Sequence, residues 1–334
     1  MTSVGFVGLG LIGARRAKIA QSLGVKIDFI VDRDPARFAG APVDGCCYAS
    51  SVDELDQAYR GHTDAILIAV PHNVALDVCS WAFARRSHVL CEKPMGLNLG
   101  EAKRIAGMVE ATGKHFCAGF NYRYLAGVAA LRDLIREGKL GRVSRARLAM
   151  GHGGRPGMET EWKLKRASAG GGALIDPGIH LVDLALHLFG AQRVDNVNLR
   201  RDFWNSDVED SCRLILASDE GVDISIEVTL TSWKNQFEIE VYGSDALAIL
   251  TGRGGNYGTQ RLEVTGRWFW QGATRPTVLD LGSQDPSFEL ETQAFLELVA
   301  TGGTDVVLSD AAAGCAALAI VEQAYDMTPA PAGL

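Results

Sequence analysis

The sequence predicts an α/β protein of two domains: a doubly wound parallel sheet, then an α/β domain on a mainly antiparallel sheet. Three observations carry this reading. The 334 residues exceed the roughly 100–200 typical of one domain. Residues 1–120 alternate short apolar runs with amphipathic stretches, the pattern of βαβ units. From about Asn121 onward, longer strands of alternating polarity follow one another with tight turns, as in an antiparallel sheet with one covered face.

In the first domain, 1–120, strands Ser3–Val7 and Lys26–Val31 flank a helix at Ala14–Ser22, and Asp34–Pro35 turns the chain. Val52–Tyr59 reads as a helix with Ser51 as its cap and Glu54 in its first turn. The apolar strand Ala65–Val70 stops at Pro71. A helix at Ala75–Arg85, a strand at His88–Cys91, a helix at Leu99–Ala111 and a strand at His115–Gly119 complete the set. In the second domain, 121–334, a helix at Val128–Glu137 ends before Gly138 and a strand runs over Val143–Met150. A Gly- and charge-rich loop, Gly151–Gly172, leads to a helix at Asp176–Phe189 that starts near Pro177. Strands follow at Cys212–Ala217, Val222–Thr231, Phe237–Tyr242, Ala246–Leu250, Arg261–Val264 and Trp268–Trp270. Helices at Phe288–Ala300 and Ala311–Tyr325 close the chain.

Composition narrows the function. Hydrophobic residues at 47% and charged residues at 22% are the mix of an ordinary soluble globular protein. Lys+Arg 33 against Asp+Glu 40 gives a net charge of -7, which repels polyanions and argues against nucleic acid or anionic membrane as partners. No run approaches the ~20 apolar residues of a membrane span. Arg15 and Arg16 follow the apolar run Val4–Ala14, the reverse of a secretory signal. Seven cysteines without a C-x-x-C pair, two of them the neighbours Cys46 and Cys47, read as reduced thiols of a cytoplasmic protein.

Gly8-Leu9-Gly10-Leu11-Ile12-Gly13 fits G-x-G-x-x-G between a predicted strand and helix. Gly8 permits the tight turn, Gly10 admits a pyrophosphate to the backbone, Gly13 lets helix and strand pack, and the helix N-terminus faces the phosphates. In a chain with 38 glycines the bare pattern carries little weight. Asp32 gives it context, about twenty residues on at the end of the second strand, where a carboxylate accepts both ribose hydroxyls. That favours NAD, since a carboxylate repels a 2′-phosphate; the neighbouring Arg33 leaves NADP as the alternative.

Two clusters could carry chemistry. Glu92-Lys93-Pro94 follows a buried strand at the edge where doubly wound sheets bind ligands; a lysine there could stabilise charge on a substrate oxygen. A plain surface ion pair between Glu92 and Lys93 reads the same residues more simply. The second cluster is Gly170-Gly171-Gly172 followed by Asp176-Pro177-Gly178-Ile179-His180. Asp176 and His180 share a helical face if their helix begins early, and the unperturbed imidazole pKa, near 6.5, suits a residue that moves a proton at neutral pH. A satisfied core histidine is the simpler reading of His180 alone. A rival set, His180, Asp183 and His187, lies on one helical face and would ligate a metal, without the usual i, i+4 histidine pair. The aromatic stretch Trp268-Phe269-Trp270 reads as core or interface packing. The basic end of the long loop, Lys163, Lys165 and Arg166, could meet a substrate phosphate or carboxylate, or simply be solvated.

The glycine loop, Glu92-Lys93-Pro94, Gly119-Phe120-Asn121-Tyr122-Arg123 and Gly170–Asp183 stand in the order and spacing of one family. Over nearly its full length the chain resembles the Gfo/Idh/MocA oxidoreductases, named for glucose-fructose oxidoreductase and inositol dehydrogenase. The resemblance implies an N-terminal Rossmann domain and a C-terminal domain on a large open sheet, with homodimers or homotetramers formed through that sheet. It also implies hydride transfer between a secondary hydroxyl of a sugar, cyclitol or nucleotide sugar and nicotinamide C4. By matching positions, Lys93 would hold the reacting oxygen, His180 would be the general acid/base, and Asp176 would orient His180 or bind a neighbouring hydroxyl. Gly8, Gly10, Leu11, Ile12, Gly13, Asp32, Arg33, Pro71, Glu92, Lys93 and Asn121 would face the cofactor. Tyr122, Arg123 and Trp162 would join Lys93, Asp176 and His180 around the substrate. One departure stands out: Pro71-His72-Asn73-Val74-Ala75 has alanine where many members have histidine. Histidine at 180, rather than the tyrosine of the ketoreductase type, points to oxidation with NAD. The competing readings are an NADPH-dependent ketosugar reductase, a non-catalytic NAD-binding protein of the same fold, and a metal-dependent lyase or hydrolase.

Overall fold

The structure is a computed structural model that describes residues 2–40, 43–268, 271–272 and 275–328. Two compact units emerge: Met1–Asn121 with Ser287–Cys315, and Tyr122–Pro286 with Ala316–Leu334. The stretch read from sequence as a second domain, 121–334, therefore shares its residues 287–315 with the first unit.

In the first unit, strands β1 (Ser3–Val7), β2 (Lys26–Val31), β3 (Cys47–Ala49), β4 (Ala65–Ile68), β5 (His88–Glu92) and β6 (Phe116–Gly119) form one sheet in the order β3-β2-β1-β4-β5-β6. Every pairing is parallel. Such strands are covered on both faces, which is why β1 and β4 read as continuous apolar runs. At three residues, β3 is too short to show any periodicity and escaped prediction. Helices α1 (Leu11–Ser22), α2 (Val52–Ala58), α3 (His72–Ala84) and α4 (Leu99–Thr112) fill the connections. Ser51 caps α2 by accepting from Glu54 N at 3.1 Å. Asn98 caps α4 in the same way, and Gly113, at φ 63, ends it. The core joins Phe6, Ile30, Leu67, Leu90 and Cys117 to Phe295 and Leu296. The last two lie on a helix far along the chain, Ser287–Thr301, and their burial is why that segment returns to this unit.

In the second unit, strands β7 (Val143–Gly151), β8 (Gln192–Arg200), β9 (Ser211–Ser218), β10 (Asp223–Thr229), β11 (Gln236–Gly243), β12 (Ala246–Thr251), β13 (Arg261–Gly266) and β14 (Thr277–Asp280) form a second sheet in the order β14-β13-β12-β11-β7-β10-β9-β8. It is antiparallel except where β7 meets β10. Both unpredicted strands, β8 and β14, are its edges: β8 is mostly polar and β14 is only four residues long, so neither shows the alternation that marks a covered strand. Phe269 and Trp270 of the last predicted strand lie outside the described residues; Trp268 itself turns at φ 63. Helices α5 (Ala126–Arg136) and α7 (Ile179–Phe189), separated by a short α6 (Arg166–Ala169), pack α5 on β12 and β13 and α7 on β7, β8 and β10. On the sheet, Arg147 pairs with Glu227, Glu238 and Glu240 at 2.7–3.0 Å. Following Ser287–Thr301 (α8), helix α9 (Ala311–Met327) is the last element of the described chain. No helix among the described residues is long and apolar enough to cross a membrane.

Candidate active site

The strand order reverses between β1 and β4, and the glycine loop sits at the C-terminal end of β1, the usual ligand crevice of such sheets. Gly8 adopts φ 91, and a Cβ there would collide with the Ala69 backbone. A Cβ on Gly13 would press on the Gly8 carbonyl. Gly10 differs: its missing Cβ would meet nothing nearer than Arg37 Nη1 at 3.9 Å. Space is therefore open above the loop, in front of α1, whose first side chain, Leu11, is 85% exposed. Asp32 is buried. Its Oδ2 accepts from Leu9 N at 2.6 Å and Arg37 Nη1 at 3.2 Å, and its Oδ1 from Asp34 N at 2.9 Å. The glycine cradle, the helix terminus and this carboxylate suit a dinucleotide. Arg33, the basic residue named from sequence, points to solvent; Arg37, from the turn Pro35–Gly40, is the one that reaches Asp32. Only a turn folding back could reveal that.

Pro71 precedes α3 and its carbonyl accepts from Val74 N. Glu92 closes β5 and is not half of a surface pair. Its Oε1 accepts from Arg16 Nε at 2.7 Å, and Arg16 also reaches Glu291 at 2.5 Å and Thr292 Oγ1 at 3.1 Å. Arg16 is buried; although burial opposes its charge, Glu92 and Glu291 raise its pKa and hold it charged. Lys93 follows, half-buried, on a cis peptide to Pro94. Asn121 Nδ2 donates to Ser287 Oγ at 2.6 Å in a buried contact.

In the second unit the Gly-Gly-Gly run becomes a tight turn. A Cβ on Gly171 would occupy the place of the Tyr325 hydroxyl, and one on Gly172 would strike the Glu209 backbone. Glu209 Oε1 accepts from Gly172 N at 3.0 Å, Leu174 N at 3.1 Å and Tyr325 OH at 2.8 Å. Asp176 N then donates to Gly172 O at 2.8 Å. Because α7 begins only at Ile179, Asp176 lies on the turn before the helix and does not share a helical face with His180. Its carboxylate pairs with Lys163 Nζ at 2.7 Å, and that attraction raises the lysine pKa. Lys163 is thus committed within the protein. Trp162 is half-buried beside it, its ring 5.8 Å from Lys163 Nζ.

His180 is buried and stacks on Tyr122, ring centroids 3.9 Å apart and planes 7° from parallel. The Arg253 guanidinium lies 4.9 Å from the Tyr122 ring and 3.8 Å from that of Tyr257. Burial raises the Tyr122 hydroxyl pKa, so the ring stays neutral. His152 is lowered by burial, against the pull of Asp176. Arg123 grips both carboxylate oxygens of Asp183, at 2.9 and 2.5 Å; burial raises the Asp183 pKa and Arg123 opposes it. Burial, then the nearby Arg123, Arg132 and Arg136, lowers His187 to about 4. The rival metal set is divided by this pairing, since Asp183 is engaged with Arg123. Among the described residues no three His, Cys, Asp or Glu converge in a metal-binding group.

Residues 2–120 match the model of the oxidoreductase family with an NAD-binding Rossmann fold, and residues 128–249 match the GFO/IDH/MocA C-terminal domain. A protein of Amycolatopsis mediterranei described as a UDP-kanosamine synthase oxidoreductase subunit is 30% identical over 278 residues, 73% of each chain. The chain belongs to the Gfo/Idh/MocA oxidoreductase family. Inositol 2-dehydrogenase of an Arthrobacter species is 27% identical over 280 residues, covering 79% of this Gfo/Idh/MocA chain and 77% of that enzyme. Levoglucosan dehydrogenase, solved with NADH and levoglucosan, superposes with a TM-score of 0.85 at 20% identity over 98% of both chains. UDP-N-acetylglucosamine 3-dehydrogenase from Acidithiobacillus ferrooxidans gives a TM-score of 0.78 at 21% identity, covering 97% and 96%. These two likenesses establish the fold. The first unit is thus an NAD-binding domain of an oxidoreductase, as its glycine loop and Asp32 suggest.

Proposed function

We propose that this enzyme transfers hydride between a secondary hydroxyl of a sugar, cyclitol or nucleotide sugar and NAD, with Lys93 and His180 acting on the reacting oxygen. The observation that carries the reading is the second unit's clamped turn, which sets Asp176, paired with Lys163, just ahead of a His180 held flat against Tyr122. NAD, when bound, accepts hydride at nicotinamide C4. Neutral His180 takes the hydroxyl proton as the carbonyl forms. The Lys93 ammonium donates a hydrogen bond to the oxygen and stabilises its alkoxide character. Asp176 accepts from a neighbouring hydroxyl or orients His180, and Tyr122 keeps the imidazole from rotating. Asp32 favours NAD over NADP because it would repel a 2′-phosphate.

The test is absorbance of reduced nicotinamide with NAD or NADP and a panel of inositols, free sugars and nucleotide sugars, beside a Lys93→Ala control. His180→Ala should lower turnover by roughly 10²–10⁴ with NAD affinity kept. Unchanged turnover would refute the assignment.

The same reading includes a homo-oligomer, a dimer or tetramer, formed through the second sheet. Its support is the alternation of buried with half-buried or exposed residues along β9 and β10, which leaves one row, with Arg147 and its glutamates, outside the core. Sedimentation of the wild type against Arg147→Glu checks it; a monomer at all concentrations would sink it.

A further inference from the structure

We propose that the second unit carries a subsite, formed by Phe203, Trp204 and Trp233, for an additional neutral ring attached to the reacting sugar. The proposal rests on the reading of Asp176 and His180 as part of the reaction site. Large apolar side chains normally bury, yet Phe203 is 60% exposed and Trp233 69%. They are not scattered. Phe203 meets Trp233 edge to face at 4.9 Å and Trp204 at 5.2 Å. Together with residues of the loop Gly153–Glu159 and with Asn205, they line an open cleft of about 720 Å³.

The trio is rigidly presented. Asp210 is fully buried, and its carboxylate accepts from the backbone N–H groups of Asp202, Phe203 and Trp204 at 2.9, 2.8 and 2.9 Å. Trp204 Nε1 donates to Leu230 O at 2.9 Å. Trp233 lies against the bare backbone of Gly153, where a Cβ would come within 2.8 Å of its ring. A buried carboxylate is costly unless fully hydrogen-bonded. Here one is used to fix a turn that presents Phe203 to solvent beside a half-buried Trp204, which suits a preorganised surface better than a core.

The aromatic turn and the turn before Asp176 are held by neighbouring residues. Glu209, the residue before Asp210, holds Gly172 and Leu174 of the turn that leads to Asp176. The aromatic turn and the Asp176 turn therefore hang from consecutive residues whose Cα atoms are about 3.8 Å apart. Gly153, which also lines the cleft, follows His152, whose pKa is acted on by the charges of Asp176 and Lys163.

The lining selects the ligand. Among the described residues that line the cleft, Arg155 is the one cation, and it is paired with Glu161 at 2.6 Å; Glu159 adds a negative charge. A diphosphate finds no free counter-charge there. An aryl ring or the C–H face of a second pyranose gains dispersion and burial against the aromatics. The occupant is accordingly the neutral aglycone or second sugar of a glycoside.

The probes are glucose, methyl β-D-glucopyranoside and phenyl β-D-glucopyranoside, added to the full chain with NAD and followed by saturation-transfer NMR and calorimetry. The phenyl protons should receive the strongest saturation, and the phenyl glucoside should bind at least 10-fold tighter than the methyl. Trp233→Ala and Phe203→Ser, both at exposed positions and checked for folding by circular dichroism, should erase that difference. Equal affinities, absence of binding, or a preference that survives both variants overturns the proposal. So does a change of sedimentation in Trp233→Ala, which would assign the trio to contact between copies, or tighter binding of a UDP-sugar. Binding is read without turnover. Ring-dependent binding with silence in the nicotinamide assay would refute the reaction and leave the subsite; turnover of free sugar without ring-dependent binding would do the reverse.

Discussion

Replacing Glu209 tests how the catalytic turn is held. In Glu209→Leu, the amides of Gly172 and Leu174 and the hydroxyl of Tyr325 lose their common acceptor. Each unsatisfied buried donor costs roughly 1–3 kcal/mol. Three give an upper range near 9, and water entering beside the shorter-reaching side chain lowers the expectation to about 3–5 kcal/mol. Glu209→Gln keeps an acceptor in place and should cost about 1 kcal/mol. Urea unfolding followed by circular dichroism measures both; with an m value of about 2–3 kcal/mol/M, the leucine variant shifts the midpoint by more than about 1 M. Its turnover should also fall, because Asp176 N is bonded to Gly172 of the same turn, while NAD affinity, a property of the other unit, holds. Glu209 carries a pH signature as well. Burial raises the Glu209 pKa, so between the ordinary value near 4.3 and the folded one the native state binds the extra proton. Stability from this group is full below that window and is lost as pH rises through it; Glu209→Gln should lack the trend. A leucine variant as stable as the glutamine one would refute the clamp.

Gly10→Val meets no protein atom nearer than Arg37 Nη1 at 3.9 Å from its Cβ, so the melting temperature should hold. The NAD dissociation constant should nevertheless rise at least ~100-fold, about 2.7 kcal/mol; unaltered affinity would remove the pyrophosphate from this loop. Arg16→Met leaves Glu92 and Glu291 facing one another without their cation and should cost about 3–5 kcal/mol in denaturant unfolding; a loss below about 1 kcal/mol would deny that the pair is buried and coupled. His187, held down to about 4 by burial and by neighbouring arginines, takes up a proton on unfolding between its ordinary value near 6.5 and 4. Stability from this group is full above that window and is lost as pH falls through it. The urea midpoint of His187→Gln should decline less than wild type from pH 7 to 4.5, and parallel curves would contradict the assignment.

Much of this was legible before the structure because it is local. A G-x-G-x-x-G loop between strand and helix needs only adjacent residues, and the buried runs of β1 and β4 carry their own pattern. Glu-Lys-Pro and the Gly-Gly-x-x-x-Asp-x-x-x-His series were enough to suggest the family, to which the chain does belong. The unread strands, β3, β8 and β14, are short or polar edges whose existence depends on a neighbour to pair with. Asp176 was expected on a helical face with His180; the turn gripped by Glu209 delays the helix to Ile179 instead. Arg123, expected at the substrate, is bonded to Asp183 sixty residues away. Lys163, read as a solvated loop cation or a contact for a substrate anion, is bonded to Asp176.

The sequence by itself determined the α/β class, the glycine loop with its carboxylate, and which residue types could do acid–base chemistry, since each follows from spacing along one chain. Only the tertiary structure decided the partners: Arg37 for Asp32, Arg16 for Glu92 and Glu291, Lys163 for Asp176, Tyr122 for His180, and Glu209 with Tyr325 for the glycine turn. A buried charge or hydrogen-bonding group must be satisfied by whatever the fold brings within about 3 Å, and that neighbour can come from any distance along the chain.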